Sequence, residues 1–88
     1  MKTENTISIE GVQKSYFKNV QIKEVKLYKN GLQNGPYMAY FINGARRISA
    51  NYKNGKINGL YERLDNNGKL IVCKSYSNGK VLATRNTT

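Results

Sequence analysis

Apolar and polar residues alternate along this chain in short segments, and Asn-Gly steps close the segments at 30–31, 34–35, 43–44, 54–55, 58–59, 67–68 and 78–79. Alternation with period two, bounded by such steps, is the pattern of antiparallel strands joined by tight turns. The segments are rich in Tyr, Ile, Val and Leu, the residues that fit a pleated surface. They predict strands at 12–18, 21–28, 37–42, 45–52, 60–65 and 69–76, a weaker strand at 7–10 and a short one at 80–84. No segment carries a helical period. Pro36, the only proline, falls just after a turn at the start of a strand, where its missing N–H does little harm.

The segments are copies of one another. Tyr-(Lys/Ser)-Asn-Gly returns at Tyr28, Tyr52 and Tyr76, a spacing of 24. At the same spacing Asn34-Gly35 maps onto Asn58-Gly59, Tyr37 onto Tyr61 and Asn43-Gly44 onto Asn67-Gly68. One period earlier, Glu10-Gly11 lies under Asn34-Gly35, and Tyr16 to Asn19 under Tyr40 to Asn43, so a degenerate copy precedes the first clear one. A fixed period of this length marks a repeat array, in which neighbouring units copy the same side chains onto one surface. The expected fold is all-β, a single-domain antiparallel meander of β-hairpin repeats with a 24-residue period. It spans 7–84 between tails at 1–6 and 85–88.

Alternation along a strand divides side chains between two faces. Even positions collect Val12, Tyr16, Ile22, Tyr28, Met38, Tyr40, Ile42, Ile48, Ala50, Tyr52, Leu60, Leu64, Leu70, Val72 and Tyr76, the expected core side. Odd positions collect Phe17, Lys23, Tyr37, Phe41, Arg47, Tyr61, Arg63 and Lys69 among Ser15, Ser49, Cys73 and Ser75, an expected basic face with spaced aromatics. A lone meander has no second layer to cover its apolar side. Strong coiling of the sheet, stacking of two copies as a homodimer, or a partner protein would each cover it, and the end strands are open to added strands.

Charge narrows the partner. Fifteen Lys and Arg against five Asp and Glu give a net charge of +10 on 88 residues, and no acid follows Asp65. A field of that sign draws acidic protein surfaces and polyanions, while lysines at strand edges also block aggregation. No apolar run approaches the roughly 18 residues of a membrane helix, and Met1 to Thr6 is followed by no apolar stretch. The single Cys73 cannot make an internal disulfide. The expected location is therefore the cytoplasm, with no membrane contact.

Catalytic chemistry finds no support. Without histidine, no Ser-His-Asp or Cys-His arrangement can form. Glu62 and Asp65, three apart on a strand, are expected on opposite faces, which defeats shared acid-base work. No metal-ligand set and no phosphate-cradling loop ahead of a helix is present, so no cofactor is expected.

The run Tyr52 to Tyr76, YKNGKINGLYERLDNNGKLIVCKSY, resembles MORN-type repeats, in the variant found in small bacterial antitoxin-like proteins. The resemblance covers most of 20–80, although no Trp stands at the family's usual aromatic. It implies an elongated hairpin array that binds rather than catalyses. The expected function is an inhibitor of a partner protein, with Tyr37, Phe41, Arg46, Arg47, Tyr61, Arg63, Lys53, Lys56 and Lys69 as contact residues, since Tyr and Arg most often anchor interfaces. Small basic chains of this kind are similar to phage-encoded inhibitors of host nucleases, including anti-CRISPR proteins, so a nucleic-acid enzyme or its ribonucleoprotein is one expected partner. The alternative is direct RNA or DNA binding by a basic sheet with interleaved aromatics.

Overall fold

Two kinds of reversal build the sheet. In the computed structural model, which describes residues 10–86, the reversals at Asn30-Gly31, Asn54-Gly55 and Asn78-Gly79 hold both residues at positive φ, with Asn between 48° and 54° and Gly between 80° and 86°. Such a pair forms the type I′ turn, whose twist matches the strands it joins and which Asn-Gly adopts most readily. The other reversals are three-residue loops at 18–20, 42–44 and 66–68. In each, the third loop amide donates to the carbonyl before the loop: Val20 to Phe17 (3.0 Å), Gly44 to Phe41 (2.9 Å) and Gly68 to Asp65 (3.0 Å).

The strands between them are β1 (Gly11–Tyr16), β2 (Ile22–Lys29), β3 (Leu32–Gln33), β4 (Gly35–Tyr40), β5 (Arg46–Lys53), β6 (Lys56–Ile57), β7 (Gly59–Leu64), β8 (Leu70–Ser77) and β9 (Lys80–Asn86). They form one antiparallel sheet in the order β1-β2-β4-β5-β7-β8-β9, with β3 on β2 and β6 on β5. The bounds of β2, β5 and β8 are spaced by 24 residues, as are those of β3 and β6 and of β4 and β7. β9 runs past the expected 80–84. Of the weak strand expected at 7–10, residues 7–9 lie outside the described residues, as do the expected tail 1–6 and residues 87–88.

The Asn-Gly steps at 34–35 and 58–59 do not reverse the chain, contrary to the turn expected at every such step. β3 and β4 both pair with β2, and between them the chain takes five steps from Gln33 to Met38 while β2 takes three from Tyr28 to Val25. The surplus is absorbed where Gly35 holds φ 111°, an angle that L side chains avoid. Gly59 does the same at φ 102° between β6 and β7. One repeat later the residues are Leu82-Ala83, and neither accommodates this conformation. β9 accordingly continues as one strand, with a shift of a single residue between Ser75 and Tyr76.

A second, smaller bulge follows each three-residue loop, skipping Lys23, Arg47 and Ile71 in the pairing. Each bulge changes which residues face one another. Beside the loop, Tyr40 pairs with Arg46 and the two are both even; past the bulge, Ala39 pairs with Ile48 and Tyr37 with Ala50. Opposed residues share a face of the sheet, so the division into an even core side and an odd binding side does not hold. The even positions of β2, β5 and β8 share a face with the odd positions of β4 and β7.

Little is buried on either side. The molecule measures 54 × 37 × 15 Å, the thickness of one layer. Among the described residues only Ala39, Ala50 and Val72 are buried. Besides the strand pairing, hydrogen bonds tie the repeats together along both long edges. At one edge a side-chain oxygen of one repeat accepts from the turn amide of the next: Glu10 Oε2 from Asn30 N (2.6 Å), Asn34 Oδ1 from Asn54 N (3.0 Å) and Asn58 Oδ1 from Asn78 N (3.0 Å). Backbone bonds run beside them, Gly55 N to Gln33 O and Gly79 N to Ile57 O, both 2.8 Å. At the other edge Asn19 Nδ2 donates to Ile42 O (3.3 Å) and Asn43 Nδ2 to Asn66 O (3.5 Å).

One position of the degenerate first copy is strained. Where the later loops carry Gly44 and Gly68 at φ 91° and 86°, the first carries Val20 at φ 62°, a conformation a β-branched residue adopts only at a cost. Val20 is 81% exposed and contributes no packing in return. Val20→Gly should therefore stabilise the protein by about 1 kcal/mol, after the entropy of an unfolded glycine is subtracted. Thermal unfolding should show a rise of roughly 4–8 °C, and an unchanged or lower midpoint would contradict the strain.

Candidate binding surface

Register places the tyrosines of successive strands on one face. Tyr37 of β4 lies opposite Ala50, and Tyr52 of β5 opposite Gly35. The small partners leave room for the rings to meet each other, edge to face, with centroids 6.1 Å apart at 80°. Tyr61 and Tyr76 repeat the arrangement at 6.2 Å and 84°. Such a pair adds about 0.5–1.5 kcal/mol beyond the area it covers.

Tyr37 reaches the same face of β2, where its hydroxyl donates to Glu24 Oε2 at 2.6 Å. Lys26 Nζ stands 3.9 Å from the other oxygen of that carboxylate. Burial, first, and then the hydrogen bond to Glu24 and its negative charge push the Tyr37 phenol well above the usual tyrosine range, opposed in part by the positive charge of Arg47. The bulge after the loop thus brings Arg47 within electrostatic reach of Tyr37.

At the loop edge of this face Phe41, Arg47, Arg63, Leu64, Asp65 and Ile71 line a depression of about 340 Å³. Arg63 stands between Ile48 and Val72 in the cross-strand row, so the neighbours of its stem are apolar. In the preceding repeat the corresponding bulge residue, Lys23, lies over the Phe17 ring with Nζ 5.8 Å from the centroid. A cation against an aromatic ring is attracted by the ring's negative face.

Five of the nine expected contact residues thus come together, though not on the face expected for them. Tyr37, Tyr61 and Arg63 share the face of Tyr52 and Tyr76, which were expected on the core side, and Phe41 and Arg47 meet Arg63 at its loop edge. Arg46 is exposed beside the bulge, opposite Tyr40. Lys69 is exposed at the end of the third loop. Lys53 and Lys56 flank the Asn54-Gly55 turn opposite each other at the far edge, roughly 23 Å from Arg46 at about 3.3 Å per residue. Sequence reasoning missed Glu24, Tyr52 and Tyr76 as members of this surface, because their place in it depends on register. Glu62 faces Ser49 and Cys73 across the sheet, and Asp65 sits in the loop, where its Oδ1 accepts from Asn67 N (2.9 Å) and Lys69 N (3.0 Å).

Among the described residues no group of His, Cys, Asp and Glu gathers to hold a metal ion, and no helix is long and apolar enough to cross a membrane. No protein-family model, curated protein or solved structure matches the chain. The class of protein that the structure itself defines is an all-β antiparallel hairpin meander one layer thick.

The raised Tyr37 pKa has a sign that can be checked. An unfolded tyrosine titrates near 10, so above that pH the unfolded chain releases a proton that folded Tyr37 retains, and stability falls as pH rises through the folded value. The contribution is complete below about pH 10. Phenolate absorbance should show one tyrosine ionising later than the rest, and Tyr37→Phe should remove that late step and flatten the alkaline loss of stability. Loss of an ordinary early step instead would contradict the assignment.

Proposed function

We propose that this chain is a non-catalytic protein-binding module that inhibits its partner by laying the tyrosine and arginine face on an acidic patch of that partner. The observation that carries the reading is a one-layer sheet presenting paired tyrosines and two guanidiniums on one side, with nothing of the described chain over them. Aromatic rings and arginines bring area and directional hydrogen bonds at low entropic cost, which suits them to anchor an interface. Cross-strand packing accounts for the tyrosine pairs but leaves Arg47 and Arg63 without a structural role. The likeness of the Tyr52–Tyr76 run to MORN-type repeats supports the same reading, since those arrays act as binding modules.

The far edge favours a second reading. Lys53 and Lys56 oppose each other there, Lys29 and Lys80 occupy the corresponding turns on either side, and Lys56 lies under Gly79. This row of ammonium groups suits the phosphates of RNA or DNA.

Affinity capture of the tagged protein from host lysate, with and without nuclease treatment, separates the two. The docking reading predicts one protein that survives nuclease treatment, is lost with Arg47→Glu/Arg63→Glu, and is retained with Lys53→Gln/Lys56→Gln. Recovery that depends on nucleic acid and on Lys53 and Lys56 would overturn it in favour of the second. Salt should weaken the second mode far more steeply than the first.

A further inference from the structure

Equivalent positions in successive repeats separate what the fold requires from what it merely tolerates. One repeat apart, Arg63 corresponds to Ala39, Asp65 to Phe41 and Ile71 to Arg47. Ala39 is wholly buried in the row Glu24, Ala39, Ile48. Arg63 holds the same place in the row Ile48, Arg63, Val72 and is exposed. A methyl group satisfies the sheet at this position, so a guanidinium there answers no demand of the fold. One repeat earlier, with alanine at position 39, only the bulge residue Lys23 supplies a cation at the corresponding place.

The charges around this depression are unbalanced. Arg47 and Arg63 both line it, and among the described residues neither makes an ion pair with a carboxylate. The acids nearest in sequence or register are engaged or turned away. Glu62 alternates to the opposite face. Glu24 accepts from the Tyr37 hydroxyl. Asp65 contributes one negative charge to the lining against two positive ones, and its Oδ1 is already held by two loop amides. Two like charges on adjacent strands repel, and an oxyanion between them relieves the repulsion while accepting the paired N–H bonds that a guanidinium offers.

We propose that this depression is an oxyanion pocket that takes a glutamate side chain of the partner, with the carboxylate between Arg47 and Arg63 and the methylene stem against Phe41 and Ile71. The apolar wall decides in favour of a carboxylate on an alkyl stem. A phosphate is more heavily hydrated and brings no stem to set against apolar side chains. The proposal rests on the protein-docking reading for the source of the glutamate, but the pocket itself is testable without a partner.

Nuclear magnetic resonance titration of the free protein with glutarate, and separately with inorganic phosphate, tests it. Glutarate should produce saturable shifts at the Arg47 and Arg63 Nε–H groups and at the Phe41 ring. Arg63→Gln should weaken binding by at least roughly tenfold, and Arg63→Ala, which restores the residue of the preceding repeat and so keeps the fold, should do the same. Lys53→Gln should leave it unchanged. Shifts spread over the lysines without saturation, insensitivity to Arg63→Ala, or phosphate binding more tightly than glutarate would each overturn the pocket. Capture of a partner through this face by a protein that fails to bind glutarate would sink the pocket alone. Glutarate binding by a protein that captures nothing would sink the docking reading alone.

Discussion

The structure depends on a turn of one repeat being held by the flank of the repeat before it. A sheet in which only three of the described residues are buried gains little from a core, and small domains without one are marginal. Beside the strand ladders that run through the whole sheet, the last two turns are each held by a pair of hydrogen bonds from the repeat before, one from a turn Asn amide to a side-chain oxygen and one from the following Gly amide to a backbone carbonyl. The side-chain acceptor must stand just ahead of the glycine that absorbs the surplus residues, which is why Asn34-Gly35 and Asn58-Gly59 occur as dipeptides. Glu10-Gly11 performs the same service with a longer side chain, reaching Asn30 N. Leu82-Ala83 cannot, since leucine has no acceptor, so β9 presents a plain strand that holds no further turn in this way.

Joining repeats at their edges leaves their faces free. In a two-layer domain the tyrosines of β4, β5, β7 and β8 would be buried against a second layer, whereas here they cover one another and remain accessible. Because each repeat is satisfied by its neighbours, individual positions on the face can differ between copies without disturbing the sheet. The change from Ala39 to Arg63 is the clearest case, and it is there that the surface acquires a charge that packing does not explain. Such a scaffold suits recognition: the fold is specified along the edges, and the contact residues are drawn on the face.

The strands and their spacing were legible because Asn-Gly steps and apolar alternation recur with little noise. All six of the main strands stand within two residues of their expected bounds, and the mapping of Glu10 onto Asn34 holds in the hydrogen bonds. Two things were hidden. Asn30-Gly31 and Asn34-Gly35 are the same dipeptide, yet one reverses the chain and the other bulges it, a difference set by the pairing partner rather than by local preference. The faces were hidden for a related reason. A three-residue loop keeps opposed positions at equal parity, and the single-residue bulge after it, at Lys23, Arg47 or Ile71, switches them. No dipeptide marks that bulge, so Tyr37 and Tyr52 read as opposite faces although their rings touch.

Hydrogen exchange of the turn amides in Asn58→Ala tests the edge-joining directly. Without the side-chain acceptor, the Asn78 amide should exchange at least roughly fivefold faster, and Gly79 should follow, while Asn54 and Gly55, held by Asn34 and Gln33, keep their protection. Equal protection of Asn78 in the variant, or a uniform loss across both turns, would contradict the account, the first by showing that the side-chain bond is idle and the second by showing that the repeats are not joined step by step.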